Sequence, residues 1–149
     1  LPLPPAVSRE RDLGDSIMTA IALAPLAEGP TRFDDLGRLR VQECERVAAL
    51  RTELTKCGAR VTEEGDSLLI EPGPLHGADI ETYSDHRVAM AMATLGLAVP
   101  GIRILDAGCV AKTFPNFWQK LALPGPAGLG ATLLDGSGTR LDAAALFDE

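Results

Sequence analysis

The twelve residues that follow Arg87, Val-Ala-Met-Ala-Met-Ala-Thr-Leu-Gly-Leu-Ala-Val, are apolar nearly all round. Such a run predicts a helix buried on most sides, and the rest of the chain must be built around it. At 149 residues there is room for one domain with a real core and hardly for two. A hydrophobic fraction of 46% with 23% charged residues fits a globular chain. No apolar run approaches the ~20 residues of a membrane span. The opening Leu-Pro-Leu-Pro-Pro has neither the basic region nor the cleavage site of a signal peptide. It also lacks an initiator Met, which fits a processed chain or a piece of something longer.

Three cysteines (Cys44, Cys57, Cys109) without metal-ligand spacing suggest reduced thiols and an intracellular, cytoplasmic setting. The net charge of −7 argues against nucleic acid, whose phosphates it would repel. It does not argue against a small anion, because a few local cations can dominate one cleft. Residues 1–14, proline-rich and then charged, read as a linker or severed connection. Residues 123–149, with Pro124, Pro126 and several glycines, read as a loose tail ending in a short helix. The ordered part is then 15–122.

Four helix starts fall in it. Asp15 serves as a candidate N-cap for the first helix, which Pro25 kinks or shortens. The second begins near Gln42 and Glu43 and runs to Cys57, with Gly58 as its stop. The third begins at Ser84-Asp85 and runs to about Val99; the fourth begins near Thr113, with Pro115 in its first turn. Strands are predicted at 31–35, 60–63, 67–71 and 102–106, with Glu64-Gly65-Asp66 as a hairpin turn. The helix starts form two pairs offset by about 70 residues, so we read a repeated α/β unit in the order helix, strand, helix, hairpin.

The charges that look out of place sit at those helix starts. Val47, Leu50, Leu54 and Cys57 form the buried stripe of the second helix, and Glu43 and Arg46 fall within its arc. Such a carboxylate and guanidinium either pair with each other on the surface or line a cleft. Asp85, His86 and Arg87 open the core helix, where free N–H groups and the helix dipole favour an anion. Alternatively Asp85 is a plain cap and His86 a satisfied core histidine. Lys112 precedes the fourth helix and Asp15 opens the first; read singly, these are a solvated lysine and a capping aspartate. Together the acids Asp15, Glu43 and Asp85, the cations Arg46, Arg87 and Lys112, and the imidazole of His86 suit acid–base chemistry on a substrate bearing phosphate or carboxylate groups.

Three segments carry a resemblance: Arg40-Val41-Gln42-Glu43-Cys44-Glu45-Arg46, Tyr83-Ser84-Asp85-His86-Arg87 and Cys109-Val110-Ala111-Lys112-Thr113-Phe114-Pro115. With Asp15-Ser16-Ile17-Met18-Thr19 and Ala27-Glu28-Gly29, they resemble the C-terminal motifs of the EPSP synthase family of enolpyruvyl transferases, in order and spacing, over about residues 15–122. The resemblance implies an α/β (α+β) fold of repeated βαβαββ units, about two of them here. It also implies transfer of the enolpyruvyl group of phosphoenolpyruvate to the 5-hydroxyl of shikimate 3-phosphate, with release of phosphate, in the shikimate pathway of aromatic amino acid biosynthesis. No metal or organic cofactor, nucleic acid or membrane is implied.

By the same resemblance Asp15 contacts the shikimate hydroxyls and acts as base, and Glu43 is the acid–base group at the phosphoenolpyruvate methylene. Arg46, Arg87 and Lys112 hold its carboxylate and phosphate, with Lys112 also a proton donor, and Asp85 and His86 complete the anion site. Gln42 departs from the family's usual Lys or His beside the shikimate substrate. The groups supplied by the family's N-terminal half are absent, so that half is the expected partner and the isolated chain is expected to be inactive. Two other readings share these residues: a non-catalytic domain that binds an anion or a partner chain, and an enolpyruvyl transferase acting on UDP-N-acetylglucosamine.

Overall fold

A computed structural model of the chain describes residues 1–142; the expected terminal helix of the tail lies outside them. The chain divides into two compact units, one from Leu1 to Cys109 and one beginning at Val110. The first unit opens with β1 (Ala6–Ser8), a π-helical turn (Arg9–Leu13) and a 3-10 turn (Gly14–Ser16). It continues through α1 (Ile17–Leu23), β2 (Thr31–Asp34), α2 (Arg46–Lys56), β3 (Arg60–Glu64) and β4 (Ser67–Glu71). That series is one complete βαβαββ unit. A second then begins with β5 (Asp79–Ile80), α3 (His86–Gly96) and β6 (Arg103–Ile104). The second compact unit contains α4 (Phe117–Ala122) and an isolated bridge between Leu134 and Arg140. Helices start at residues 17 and 86, and at 46 and 117, so the repeat of about 70 residues holds in the order of elements.

The first sheet has the order β1-β2-β4-β3, with β1 and β2 parallel and the other neighbours antiparallel. Parallel neighbours require a crossover, and α1 supplies it. In β2, Thr31 and Phe33 are buried while Arg32 is exposed; register sets Phe33 opposite Leu68 and Thr31 opposite Ile70. Period-two alternation thus gives the sheet one apolar face. Ile17, Met18 and Ile21 of α1, Val47, Leu50 and Leu54 of α2, and Val88, Ala91, Met92 and Leu95 of α3 complete the core with it. No residue of α3 is exposed, as its all-round apolar sequence predicts.

Strand, hairpin and helix stop signals hold closely. β4 spans the predicted 67–71, Gly65 takes φ 58° in the hairpin turn, and Gly58 takes φ 92° just after α2. Helix starts hold less well. Residues 1–14 are not a bare linker, because Ala6–Ser8 pair along β2 and Val7 is buried. Asp15 is not an N-cap: it lies in the 3-10 turn, and its carboxylate is taken by side chains. α2 begins at Arg46 rather than at 42–43, because the Glu45 carboxylate caps the N–H groups of Val47 and Ala48 at 3.0 and 3.3 Å. α3 ends at Gly96, short of Val99, and α4 begins at Phe117, beyond Thr113. The described tail is not loose either. N–H groups of Leu129, Gly130 and Ala131 bond to carbonyls of Lys120, Leu123 and Leu121, satisfying the end of α4.

Candidate functional site

Five side chains from four segments of the first unit form one hydrogen-bonded chain. Arg9 donates to Asp15 Oδ1 from Nη2 (2.7 Å) and Nε (3.1 Å). The Gln42 amide donates to Asp15 Oδ2 at 3.3 Å, and its carbonyl oxygen accepts from Arg46 Nη1 at 2.7 Å. Arg46 closes on Asp85 with two bonds, Nε to Oδ2 at 2.7 Å and Nη2 to Oδ1 at 3.2 Å. Asp85 also caps α3 by accepting the Arg87 N–H at 2.8 Å, and it accepts the Cys44 thiol at 3.3 Å.

Local structure explains this convergence. The Glu45 cap starts α2 so that Arg46 is its first residue, at the head of the buried face. Asp85 stands in extended backbone (φ −110°, ψ 114°), the conformation of an N-cap. The Arg46 side chain is 3% exposed and that of Asp85 not at all, so the bidentate pair is a buried one. Burial raises the Asp85 carboxyl, but bonds from Arg46, the Arg87 N–H and Cys44, with the Arg46 charge, hold it below the usual carboxylate range. Asp15 follows the same logic at partial exposure. Burial raises it, while Arg9 and Gln42 bonds and the charges of Arg9 and Arg87 bring it below that range. Both acids are therefore ionised at neutral pH. Cys44 goes the other way: burial and the Asp85 carboxylate push its thiol up to about 12.

Four of the sequence-predicted residues, Asp15, Gln42, Arg46 and Asp85, are thus directly linked. Arg87 is half-buried beside them, and its charge acts on Asp15, yet its guanidinium makes no hydrogen bond or ion pair with the described residues. His86 is half-buried at the start of α3. Glu43 is exposed in the segment before α2, not on a helical arc with Arg46, because the helix begins three residues after it. Lys112 is exposed and belongs to the second unit, within the turn in which Thr113 and Phe114 N–H groups bond to Val110 O.

Sequence reasoning missed Arg9, hidden in a segment read as linker, and Glu53, a buried carboxylate on α2. Glu53 left a signal, since it falls on the helical face of Leu50, Leu54 and Cys57. Two fixed acids, two guanidinium groups paired with them and a third, that of Arg87, without a hydrogen bond among the described residues make a site able to hold an anion beside a carboxylate. Among the described residues no group of three or more His, Cys, Asp or Glu is placed to hold a metal ion. No helix among them is long and apolar enough to cross a membrane.

Comparisons with known proteins agree over the same region. The family model described as EPSP synthase (3-phosphoshikimate 1-carboxyvinyltransferase) matches residues 7–121. A 3-phosphoshikimate 1-carboxyvinyltransferase of Nostoc punctiforme is 48% identical over 109 residues, which cover 73% of this chain and 26% of the relative. One of Kocuria rhizophila is 47% identical over 113 residues, covering 74% and 25%. A solved EPSP synthase from Acinetobacter baumannii aligns at TM-score 0.67 and 32% identity, over 76% of this chain and 27% of that one. The chain spans about a quarter of the length of the curated relatives it matches.

Proposed function

This chain belongs to the EPSP synthase family, and we propose that it supplies the C-terminal part of a 3-phosphoshikimate 1-carboxyvinyltransferase. The reaction moves the enolpyruvyl group of phosphoenolpyruvate to the 5-hydroxyl of shikimate 3-phosphate through a tetrahedral intermediate, with release of phosphate. The network from Arg9 through Asp15, Gln42 and Arg46 to Asp85 carries this reading. A binding domain needs cations; it does not need an ionised carboxylate tied, through one amide, to an anion-binding guanidinium. That linkage suits a site that must place a hydroxyl against an anionic co-substrate.

In this reading Asp15, held ionised, takes the proton of the attacking hydroxyl. Arg46 is neutralised by Asp85 in the free chain and aimed by it, while Arg87 offers an unspent charge. Both receive the carboxylate and phosphate of phosphoenolpyruvate, the ligand that the family resemblance also implies for Lys112. Glu43 serves the methylene carbon as acid and base, and its exposure leaves it accessible until a second domain closes over it. Gln42 contacts the shikimate substrate through an amide, without a charge. His86 lies at the edge of the anion site. The expected partner is the family's N-terminal half, and the expected setting is the cytoplasm.

The test is phosphate release from phosphoenolpyruvate and shikimate 3-phosphate. The chain by itself should show none, because the groups that orient the two reactants are divided between the halves. Adding the rest of a relative's chain, everything that precedes the matched region, should restore turnover. Turnover by the chain alone would refute the division, and inactivity of every reconstituted pair would refute the transferase reading.

A further inference from the structure

Glu53 is a buried carboxylate that the reaction above leaves unused. It sits two helical turns after Arg46 on the same face of α2, with its side chain 1% exposed. Its Oε1 accepts from Lys56 Nζ at 2.6 Å and from the Glu81 N–H at 2.8 Å. Its Oε2 accepts the Tyr83 hydroxyl at 2.7 Å. Two of these three donors belong to the loop between β5 and α3, which ends at Asp85 and leads into His86 and Arg87, the first residues of α3.

That loop needs holding. Tyr83 and Ser84 are consecutive residues at φ 56° and 52°, a left-handed conformation that side chains disfavour. Thr82 is buried and bonds through Oγ1 to Leu105 O at 2.9 Å, and the Asp85 N–H bonds back to Thr82 O at 2.8 Å. The loop is therefore clamped on the β6 side by Thr82 and on the α2 side by Glu53. Arg46 and Glu53 make α2 a rigid ruler with two fixed points, one on Asp85 and one on Tyr83. Without the Glu53 point, the left-handed pair can relax toward ordinary backbone, and Asp85 lies only one residue beyond it. The Tyr83 phenol is pushed above its usual range by burial and by Glu53, so it remains a donor across neutral pH.

We propose that Glu53 is a positioning residue for the anion site: through Tyr83 and Glu81 it fixes the loop that aims Asp85, His86 and Arg87. The identity of the anion rests on the transferase reading; the positioning itself does not.

Cys44 provides a reporter independent of activity, because its thiol donates to Asp85 Oδ2. Tyr83→Phe removes one hydroxyl and keeps the ring, and Glu53→Gln keeps the shape and loses the charge. Alkylation of the purified chain by iodoacetamide, mapped to individual cysteines by mass spectrometry, should speed up at Cys44 by about threefold or more in each variant, as a displaced Asp85 frees the thiol. Because the two groups act as one contact, the double variant should add little beyond the larger single effect. Buried Cys57 should remain slow. Unchanged Cys44 rates in both variants would overturn the proposal, as would Cys44 and Cys57 rising together, which means general loosening.

In the complete enzyme, Tyr83→Phe should raise KM for phosphoenolpyruvate by roughly fivefold or more while the thermal midpoint moves by no more than about 2 °C. A lowered midpoint with unchanged KM would reduce Glu53 to a structural tie and overturn the proposal. A complete wild-type protein with no transferase activity would instead overturn the function proposed above, and the Cys44 rates alone would then judge Glu53.

Discussion

Replacing Asp85 with asparagine removes the charge, and one of the two acceptor oxygens, on which Arg46, the Arg87 N–H and the Cys44 thiol converge. The Arg46 charge would stay where it is, almost fully buried, with the Gln42 carbonyl as its remaining partner. The asparagine amide also brings donors of its own. If its oxygen accepts from one Arg46 nitrogen, its N–H₂ faces the other. Breaking a buried pair from one side costs about 3–5 kcal/mol, a large share of the 5–15 kcal/mol that holds a domain of this size together. Urea unfolding followed by far-UV circular dichroism reads this directly as a lower midpoint at constant slope. Fluorescence is the wrong probe, because the single tryptophan, Trp118, reports the second unit. The loss should also depend on pH. Asp85 is held below its ordinary value in the folded chain, so its contribution is complete above the unfolded value of about 3.9 and fades as pH falls through the lower folded one. Wild type and variant should therefore converge in strong acid. A loss under about 1 kcal/mol at pH 7, or one that stays constant down to acid pH, would refute the reasoning.

In the complete enzyme, Glu43→Gln should lower kcat by on the order of 100-fold or more with little change in KM, as measured by steady-state phosphate release; near-normal turnover would remove Glu43 from the chemistry. Gln42→Lys should tighten shikimate 3-phosphate binding, since a charged donor contributes roughly 1.5–3 kcal/mol against about 0.5–1.5 for a neutral one, and titration calorimetry would detect unchanged affinity if the side chain does not face the substrate. The same change removes the acceptor of Arg46 Nη1 and sets two cations together, so the thermal midpoint should fall. Arg9→Ala should bring the Asp15 carboxyl back up, because Arg9 gives it both a hydrogen bond and a charge. Carbon-detected NMR titration would read this, and acid-induced loss of the Asp15 contribution should begin at higher pH; an unmoved titration would mean that Gln42 and Arg87 suffice.

Much of the fold follows from local patterns. The apolar run after Arg87 demands a wrapped helix, and α3 has no exposed residue. Alternation and turn chemistry mark β4 and its hairpin, because strand pleat and left-handed glycine are properties of a few adjacent residues. Gly58 marks the end of α2 for the same reason. Helix starts were less legible. Glu45, an unusual cap, delays α2 until Arg46, and the gain from capping two N–H groups is invisible to a hydrophobic period. The short strands β1 and β5 carry no periodic signal at all; each exists because a parallel neighbour offers it hydrogen bonds.

The site divides along the same line. Sequence alone picked out candidates for its chemistry: charged side chains at the edge of apolar helices are costly unless paired or used, and the motifs at 40–46 and 83–87 single several of them out. Only the tertiary structure decided their partners. Arg46 and Asp85 lie far apart in sequence, and no local rule states that one bidentate bond joins them. Nor does any local rule state that the Gln42 amide, an acceptor on one side and a donor on the other, links that pair to Asp15. Arg9 and Glu53 acquire their meaning the same way, as charges whose roles are set by what folding brings against them. The period of a helix is written in neighbouring residues, whereas the partner of a buried charge is fixed by the packing of the whole unit.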